Sequence, residues 1–349
     1  MEMENQLTNF KEVEPWERFL ILAGLDGTLL NNKGQLTART KKVIKEITDA
    51  GHVFVIISGY TPVNTLKYYK QLGLKNLMCN LNGAYIWNPS DKGFVPVNLC
   101  FNWEVCVKIL TSKRIMKYVK NFVIENYKGT YIKRIPKNKK DLKKLLKRFH
   151  LHKDQELTLC DKSFKNLKGV DCHSILLQVK EESKETLNML IYELHRFSKK
   201  LNSHVWRDEK GVYFVEISTK FSTKGTALSY LSNYYSIPLE QCIAFGDSDN
   251  DAEMLRTAIY SFAMANGTVP AKLSAHYITK FTNDEDGVAR TLEYLDRTFS
   301  RTSYAAKKKI LAEVKEIARL RKDYYEKIYL WTKRHLCLWN WNLFRRWYC

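Results

Sequence analysis

Five apolar residues, Phe19 to Ala23, run directly into Gly24-Leu25-Asp26-Gly27-Thr28-Leu29-Leu30, and this junction constrains the chain more than any other stretch. An apolar run of that length closed by a turn reads as a short buried strand. The glycine and carboxylate that follow place chemistry at its carboxyl end. The pattern then repeats: residues 38–50 read as a helix ended by Gly51, 53–57 as a second apolar strand, 62–72 as a helix with Pro62 near its start, and 77–80 as a third strand. Strands alternating with helices predict a parallel sheet covered on both faces, with ligands bound beyond the strands' carboxyl ends. Gly24 to Asp26 and the pair Ser58-Gly59 both fall at such ends.

From about residue 90 to residue 204 the pattern changes. Lysine-rich helical segments are expected around 108–126 and 139–150, a strand over 174–179 and a helix over 181–201. The strand–helix alternation is expected to resume with a strand over 212–217, a helix over 224–235, a strand over 242–246 and a helix over 251–257. The expected organisation is a lead segment 1–17, a doubly wound, mainly parallel α/β core in two parts, 18–89 and 206–296, an α+β cap inserted over 90–205, and a basic, helical, tryptophan-rich tail over 297–349. An inserted cap suits an enzyme that closes over a phosphate site.

The formal net charge is +20, and the tail carries about half of it together with Trp331, Trp339, Trp341 and Trp347. Ile310, Val314, Ile317, Tyr324, Ile328 and Trp331 recur at three- and four-residue spacing, which predicts an amphipathic helix. Three roles fit it: self-association or packing on the core through the apolar seam, contact with an anionic membrane surface, and nucleic-acid binding by basic and aromatic side chains. The eight cysteines contain no Cys-x-x-Cys pair, and Cys79 and Cys242 fall inside expected core strands, so a reducing compartment is expected. The acidic, polar first residues do not resemble a signal peptide, and no run approaches the roughly 20 apolar residues of a membrane span. A soluble or peripheral, cytoplasmic protein without a transmembrane segment is expected.

Three further segments carry chemistry. Ser58-Gly59 ends a strand with a hydroxyl and a residue that permits close backbone approach, a pairing that can hold phosphate oxygens. Lys224-Gly225 opens a helix and offers an ammonium that would neutralise phosphate. Residues 243–251 set Asp247, Ser248, Asp249, Asn250 and Asp251 directly after an apolar strand, and clustered hard oxygen ligands of this kind suit Mg²⁺.

The order of these motifs resembles the haloacid dehalogenase (HAD) superfamily and, within it, the Cof-type phosphatase branch. Asn82-Gly83-Ala84, Glu216-Ile217, Ala263-Met264-Ala265-Asn266-Gly267 and Asn283-Asp284-Glu285-Asp286-Gly287-Val288-Ala289 add to the likeness, which covers roughly residues 18–295. The resemblance implies a Mg²⁺-dependent phosphatase of small phosphorylated metabolites such as sugar phosphates. It implies Asp26 as general acid/base, and Asp26 (through its backbone carbonyl), Asp247 and Ser248 around the metal. Leu25 (through its N–H), Ser58, Gly59, Lys224 and Asn250 would form the phosphate cradle, and Asp251 would orient Lys224 or a metal-bound water. The chain departs from the pattern twice. Gly24 stands at the position of the nucleophilic aspartate, and glycine cannot form an aspartyl-phosphate. Tyr60 stands where the branch has an arginine after the Ser/Thr-Gly pair. The expectation is therefore a phosphatase fold with impaired or absent hydrolysis, or, alternatively, a non-catalytic binding or regulatory protein that uses the phosphate pocket and the basic tail.

Overall fold

The first apolar run forms β1 (Leu20–Ala23), buried at all four positions, and a parallel sheet grows from it in both directions. The computed structural model describes residues 18–301 other than 200 and 209. After β1 come β2 (Val53–Ile56) and β3 (Met78–Asn80), and then β4 (Tyr85–Trp87) and β5 (Val97–Asn98), which pair antiparallel beside β3. A long excursion supplies β6 (Val119–Asn126), β7 (Gly129–Ile132), β8 (Leu157–Leu159), β9 (Ser174–Val179), β10 (Leu201–Arg207) and β11 (Tyr213–Thr219). The chain then returns through β12 (Cys242–Gly246), β13 (Tyr260–Ala263) and β14 (Tyr277–Ile278).

β1 lies in parallel between β2 and β12, β13 and β14 continue beyond β12, and β3 continues beyond β2 through a parallel bridge from Ile57 to Cys79. The order β3-β2-β1-β12-β13-β14 runs outward both ways from the seam between β1 and β12. Their carboxyl ends therefore form the topological switch point of a doubly wound sheet, where such folds bind ligands. Leu20, Leu22, Val53, Val55 and Ala244 pack with Leu228 and Leu231 of the helix Lys224–Tyr235 and with Met254 and Leu255 of the helix Ala252–Thr257. The alternate residues Ile21, Phe54, Ile56, Ile243 and Phe245 are equally buried, and the helix Ala38–Asp49 lies against β2. Burial on both faces is why these strands read as continuous apolar runs.

The second sheet has the order β10-β11-β9-β6-β7-β8 and is antiparallel except where β7 meets β8. Phe122, Ile124, Ile175, Leu177, Val215 and Ile217 of one face pack on the helices Trp103–Thr111 and Lys184–Phe197. Val123, Leu176 and Phe214 of the other face pack on Leu146 and Phe149, at the end of the helix Lys139–Arg148. Both sheets lie in one compact unit that ends at Thr291.

Three expectations need correction. The strand over 212–217, read as the return to the core, is β11, and it pairs antiparallel with β10 and β9 in the second sheet. Only residues 208–212 separate β10 from β11, and a link that short joins antiparallel neighbours, whereas a parallel pair needs a crossover of a dozen or more residues. The core resumes after Thr219. The helical segment over 108–126 divides into the helices Trp103–Thr111 and Lys113–Met116 and strand β6, whose Phe122-Val123-Ile124 run favours a pleated, buried environment. The helix over 181–201 is shorter, Lys184–Phe197, and gives way to β10. The tail's expected helix over 310–331 lies outside the described residues, as does the 1–17 lead. No helix among the described residues is long and apolar enough to cross a membrane.

Gly83 sets how closely the β3 turn approaches the helix Lys224–Tyr235. Its φ is +97°, and a Cβ there would lie 2.3 Å from the Thr223 backbone carbonyl oxygen. Gly83→Ala is therefore expected to cost at least about 1–3 kcal/mol of stability from the backbone conformation alone, with steric overlap in addition. Urea denaturation of the variant beside the parent checks this, and an unchanged midpoint would refute the close approach.

Candidate functional site

At the end of β1 the chain makes one tight turn, closed by the Leu30 N–H donating to the Leu25 carbonyl at 2.9 Å. Gly24 keeps an ordinary extended conformation (φ −62°), and its N–H donates to the Phe245 carbonyl on β12 at 3.2 Å. Gly27 has φ +67°, and a Cβ on it would sit 2.2 Å from the Asp247 carboxylate, so only glycine lets the two loops meet. Thr28 Oγ1 donates to Asp247 Oδ1 at 2.8 Å across that contact. Asn266 Nδ2 donates to the Gly27 carbonyl and Asn283 Nδ2 to the Leu30 carbonyl, each at 2.8 Å, so the two asparagine motifs serve as braces for the loop.

At the end of β12, Asp251 is 1% exposed and organises the turn. Its Oδ2 accepts from the N–H groups of Asp247 and Ser248, both at 3.0 Å, and its Oδ1 accepts from Lys224 Nζ at 2.6 Å. This ion pair is buried on both sides and fixes the ammonium at the mouth of the switch point. Asp247 also accepts from Ser248 Oγ at 3.0 Å. Burial, followed by the nearby Asp251 charge, pushes the Asp247 carboxyl up to about 6 in spite of these hydrogen bonds.

Ser58 is buried, and its N–H donates to the Cys79 carbonyl, which leaves the hydroxyl as its site-facing group; that oxygen accepts from the Tyr60 N–H at 3.1 Å. Tyr60 turns its phenol to donate to Asp26 Oδ2. Burial, reinforced by the Asp26 charge, holds the phenol far above its ordinary pKa, so it stays protonated. Asn250 Nδ2 donates to Asn82 Oδ1 at 2.9 Å, and Asn82 Nδ2 reaches Glu216 Oε1 at 3.4 Å. Asn250 Oδ1 is buried with no partner.

Gly24, Leu25, Asp26, Ser58, Gly59, Lys224, Asp247, Ser248, Asn250 and Asp251, from four separated segments, all line one cavity of about 1090 Å³. The second sheet supplies its other wall through Glu125, Leu176, His204, Trp206 and Glu216. The loop after the helix Lys139–Arg148 fastens that wall to the core. Gln155 Oε1 accepts from Asn64 and Thr61, Lys67 pairs with Asp154 at 3.5 Å, and His152 meets Tyr60 edge-on with centroids 5.1 Å apart. Sequence reasoning missed Thr28 as a contact, Tyr60's hold on Asp26 and, apart from Glu216, the second-sheet wall. The first lies inside a motif already singled out. The rest of the wall carried no signal until strand pairing aligned its residues.

Among the described residues, no group of three or more His, Cys, Asp or Glu side chains is placed to hold a metal. Asp247 remains as a carboxylate ligand, while the Asp26 carboxylate is engaged by the Tyr60 phenol. Mg²⁺ is commonly held by one or two carboxylates completed by waters and phosphate, so Asp247 with the Asp26 backbone carbonyl fits a weakly held ion.

A sequence model of the haloacid dehalogenase-like hydrolases matches residues 21–292. A 5-amino-6-(5-phospho-D-ribitylamino)uracil phosphatase of Bacillus subtilis is 30% identical over 283 residues, covering 79% of this chain and 96% of its own length. A second B. subtilis phosphatase is 27% identical over 292 residues, covering 79% and 99%. Among solved structures, a haloacid dehalogenase-like hydrolase from Bacteroides thetaiotaomicron superposes with a TM-score of 0.64 at 25% identity, covering 80% of this chain and 99% of its own. A Streptococcus mutans protein gives 0.65 at 26%, with 80% and 99% covered.

Lys224→Met leaves the Asp251 carboxylate buried without its cation. Removing one partner of such a pair costs about 3–5 kcal/mol, whereas Lys224→Met with Asp251→Asn should recover part of that loss. Urea denaturation of the three variants tests this; equal stability of Lys224→Met and the parent would show the pair to be slack.

Proposed function

The chain belongs to the haloacid dehalogenase-like hydrolases, in their Cof-type phosphatase branch, and from that premise we propose that it binds a small phosphorylated metabolite at the β1/β12 switch point and hydrolyses it poorly or not at all. The observation that carries this reading is Gly24. The remaining cradle residues converge on one cavity, and at position 24 there is no carboxylate to attack phosphorus.

In this reading Lys224, held by Asp251, neutralises the phosphate while Ser58 Oγ, the Gly59 backbone and the Leu25 N–H contact its oxygens. Asn250, which lines the same cavity and is held by Asn82, is the amide of this cradle. Asp26 is the acid/base that would protonate a leaving alkoxide. Asp26, Asp247 and Ser248 would hold Mg²⁺, which when bound supplies positive charge against the phosphate. Nothing nearby replaces the missing nucleophile. Asp26 is engaged by Tyr60, and the Tyr60 phenol is kept protonated by burial and by that same carboxylate.

Loss of a covalent nucleophile lowers turnover by roughly a millionfold in a serine protease. The protein is therefore expected to turn over a panel of sugar and nucleotide phosphates far below the ordinary range of about 1–10³ s⁻¹. Gly24→Asp should restore measurable activity. The backbone there is unstrained, and the new Cβ would lie 3.1 Å from Thr28 Oγ1, which needs only a small side-chain shift. Turnover of the parent near 1 s⁻¹ would sink the proposal. If Gly24→Asp folds, binds Mg²⁺ and stays inert, the Tyr60–Asp26 hydrogen bond is the next obstacle, tested by Tyr60→Arg. The non-catalytic reading gains from that same hydrogen bond, because it occupies the acid/base.

In this reading a proton on Asp247 would exclude Mg²⁺ from that carboxylate. With that carboxyl raised to about 6, affinity should be level above pH 6 and fall about tenfold per unit below it. Calorimetric Mg²⁺ titrations from pH 5 to 8 read this directly; a flat profile would remove Asp247 from the metal site.

A further inference from the structure

The second-sheet wall of the cavity has a chemical character of its own. Strand alternation places Val123 and Glu125 of β6, Ser174 and Leu176 of β9, Phe214 and Glu216 of β11, and His204 of β10 on one face, because directly paired residues share a face and period two repeats it. Over most of that face the residues are apolar and covered by Leu146 and Phe149. Where the covering helix ends, two carboxyl groups face the cavity instead.

Glu125 is 7% exposed. Its Oε2 accepts from Ser174 Oγ at 2.9 Å, and its Oε1 has no hydrogen-bond partner among the described residues. Glu216 receives only the long bond from Asn82. The ion pairs of the described residues include neither of them. Burial, and then repulsion from Glu216, pushes the Glu125 carboxyl up to about 8, and burial raises Glu216 as well. Two buried carboxyls outside any ion pair destabilise the empty protein and would be relieved by a positive charge placed between them. Lys224 is spent on Asp251, and His204, directly opposite Glu216 on β10, offsets only part of the burial of Glu216.

We propose that Glu125 and Glu216 bind an ammonium or amino group on the organic part of the ligand, so that the preferred ligand class is a phosphomonoester bearing an amine. The inference rests on the phosphate-site reading: the phosphate lies at Lys224 and the amine at the opposite wall of the same cavity. The cavity also touches Lys143, Lys147 and Lys153, on or just after the helix Lys139–Arg148, and these would favour an acidic organic part instead. The two possibilities predict opposite orders of affinity.

The test is isothermal titration of the full chain with Mg²⁺ at pH 7.5, using inorganic phosphate, glucose 6-phosphate, glucosamine 6-phosphate and 6-phosphogluconate. Glucosamine 6-phosphate is expected to bind at least about tenfold more tightly than glucose 6-phosphate, in line with the coupling of close, desolvated charge pairs. In Glu125→Gln/Glu216→Gln that preference should vanish while inorganic phosphate binds as before. Both substitutions keep side-chain shape, and each single variant is measured beside the double in case the double does not fold. Equal affinity for the amine and hydroxyl sugars, tightest binding of 6-phosphogluconate, or an amine preference that survives the substitutions would each overturn the inference while leaving the phosphate site standing. If no phosphate binds, inorganic phosphate included, the phosphate-site reading itself falls and the inference with it.

Discussion

The site depends on one buried carboxylate. Asp251 takes hydrogen bonds from two successive backbone N–H groups at the end of β12 and an ion pair from Lys224, and so ties a strand end, a helix start and a distant helix into one unit. Because Asp251 and Lys224 are almost wholly enclosed, neither can be released without stranding the other in a medium that penalises lone charge. Gly246 completes the arrangement: a Cβ on it would lie 2.5 Å from that of Asp251, so the carboxylate can fold back under its own strand only beneath a glycine. The position of Asp247 beside the Gly27 turn, and with it the contact between the β1 and β12 loops, follows from this anchor.

The glycine at position 24 leaves the local fold intact, and in the proposed reading its effect falls on the chemistry alone. Gly24 retains the conformation and the inter-strand hydrogen bond that a larger residue would have, and its neighbours Thr28 and Asp247 remain joined. Asp247 is buried, and burial followed by the nearby Asp251 charge raises its proton affinity in spite of its hydrogen bonds and the pull of Lys224. Tyr60 meanwhile binds Asp26 through a phenol that cannot readily ionise. The two departures from the family pattern thus meet at the same place, one deleting a carboxylate and the other engaging the carboxylate that remains.

The cavity joins two surfaces built by different rules. The core wall consists of loops at parallel-strand ends, rich in backbone N–H groups and braced by Asn266 and Asn283. The second-sheet wall consists of side chains projecting from antiparallel strands, where alternation decides what faces the ligand. Lys67, Asn64 and Thr61 on the core meet Asp154 and Gln155 on the loop of the other wall and hold the two together near Tyr60.

The sequence by itself determined the parallel core and the positions of its chemistry. Strands buried on both faces are continuous apolar runs, and the residues that end them, Asp26, Ser58 and Asp247, are adjacent in sequence to the elements that place them. Local signals of that kind need no knowledge of distant partners. It also determined that Gly24 lacks a nucleophile, since that is a matter of chemical identity. Only the tertiary structure decided which sheet β11 joins, because a half-apolar strand pairs wherever its connection length and its neighbours' edges allow, and those edges come from β10 just before it and from β9 about forty positions away. The same holds for the pairing of Glu125 with Glu216 across β9 and for Tyr60's hydrogen bond to Asp26. Each joins residues whose separation in sequence carries no periodicity, so only the folded chain brings them together.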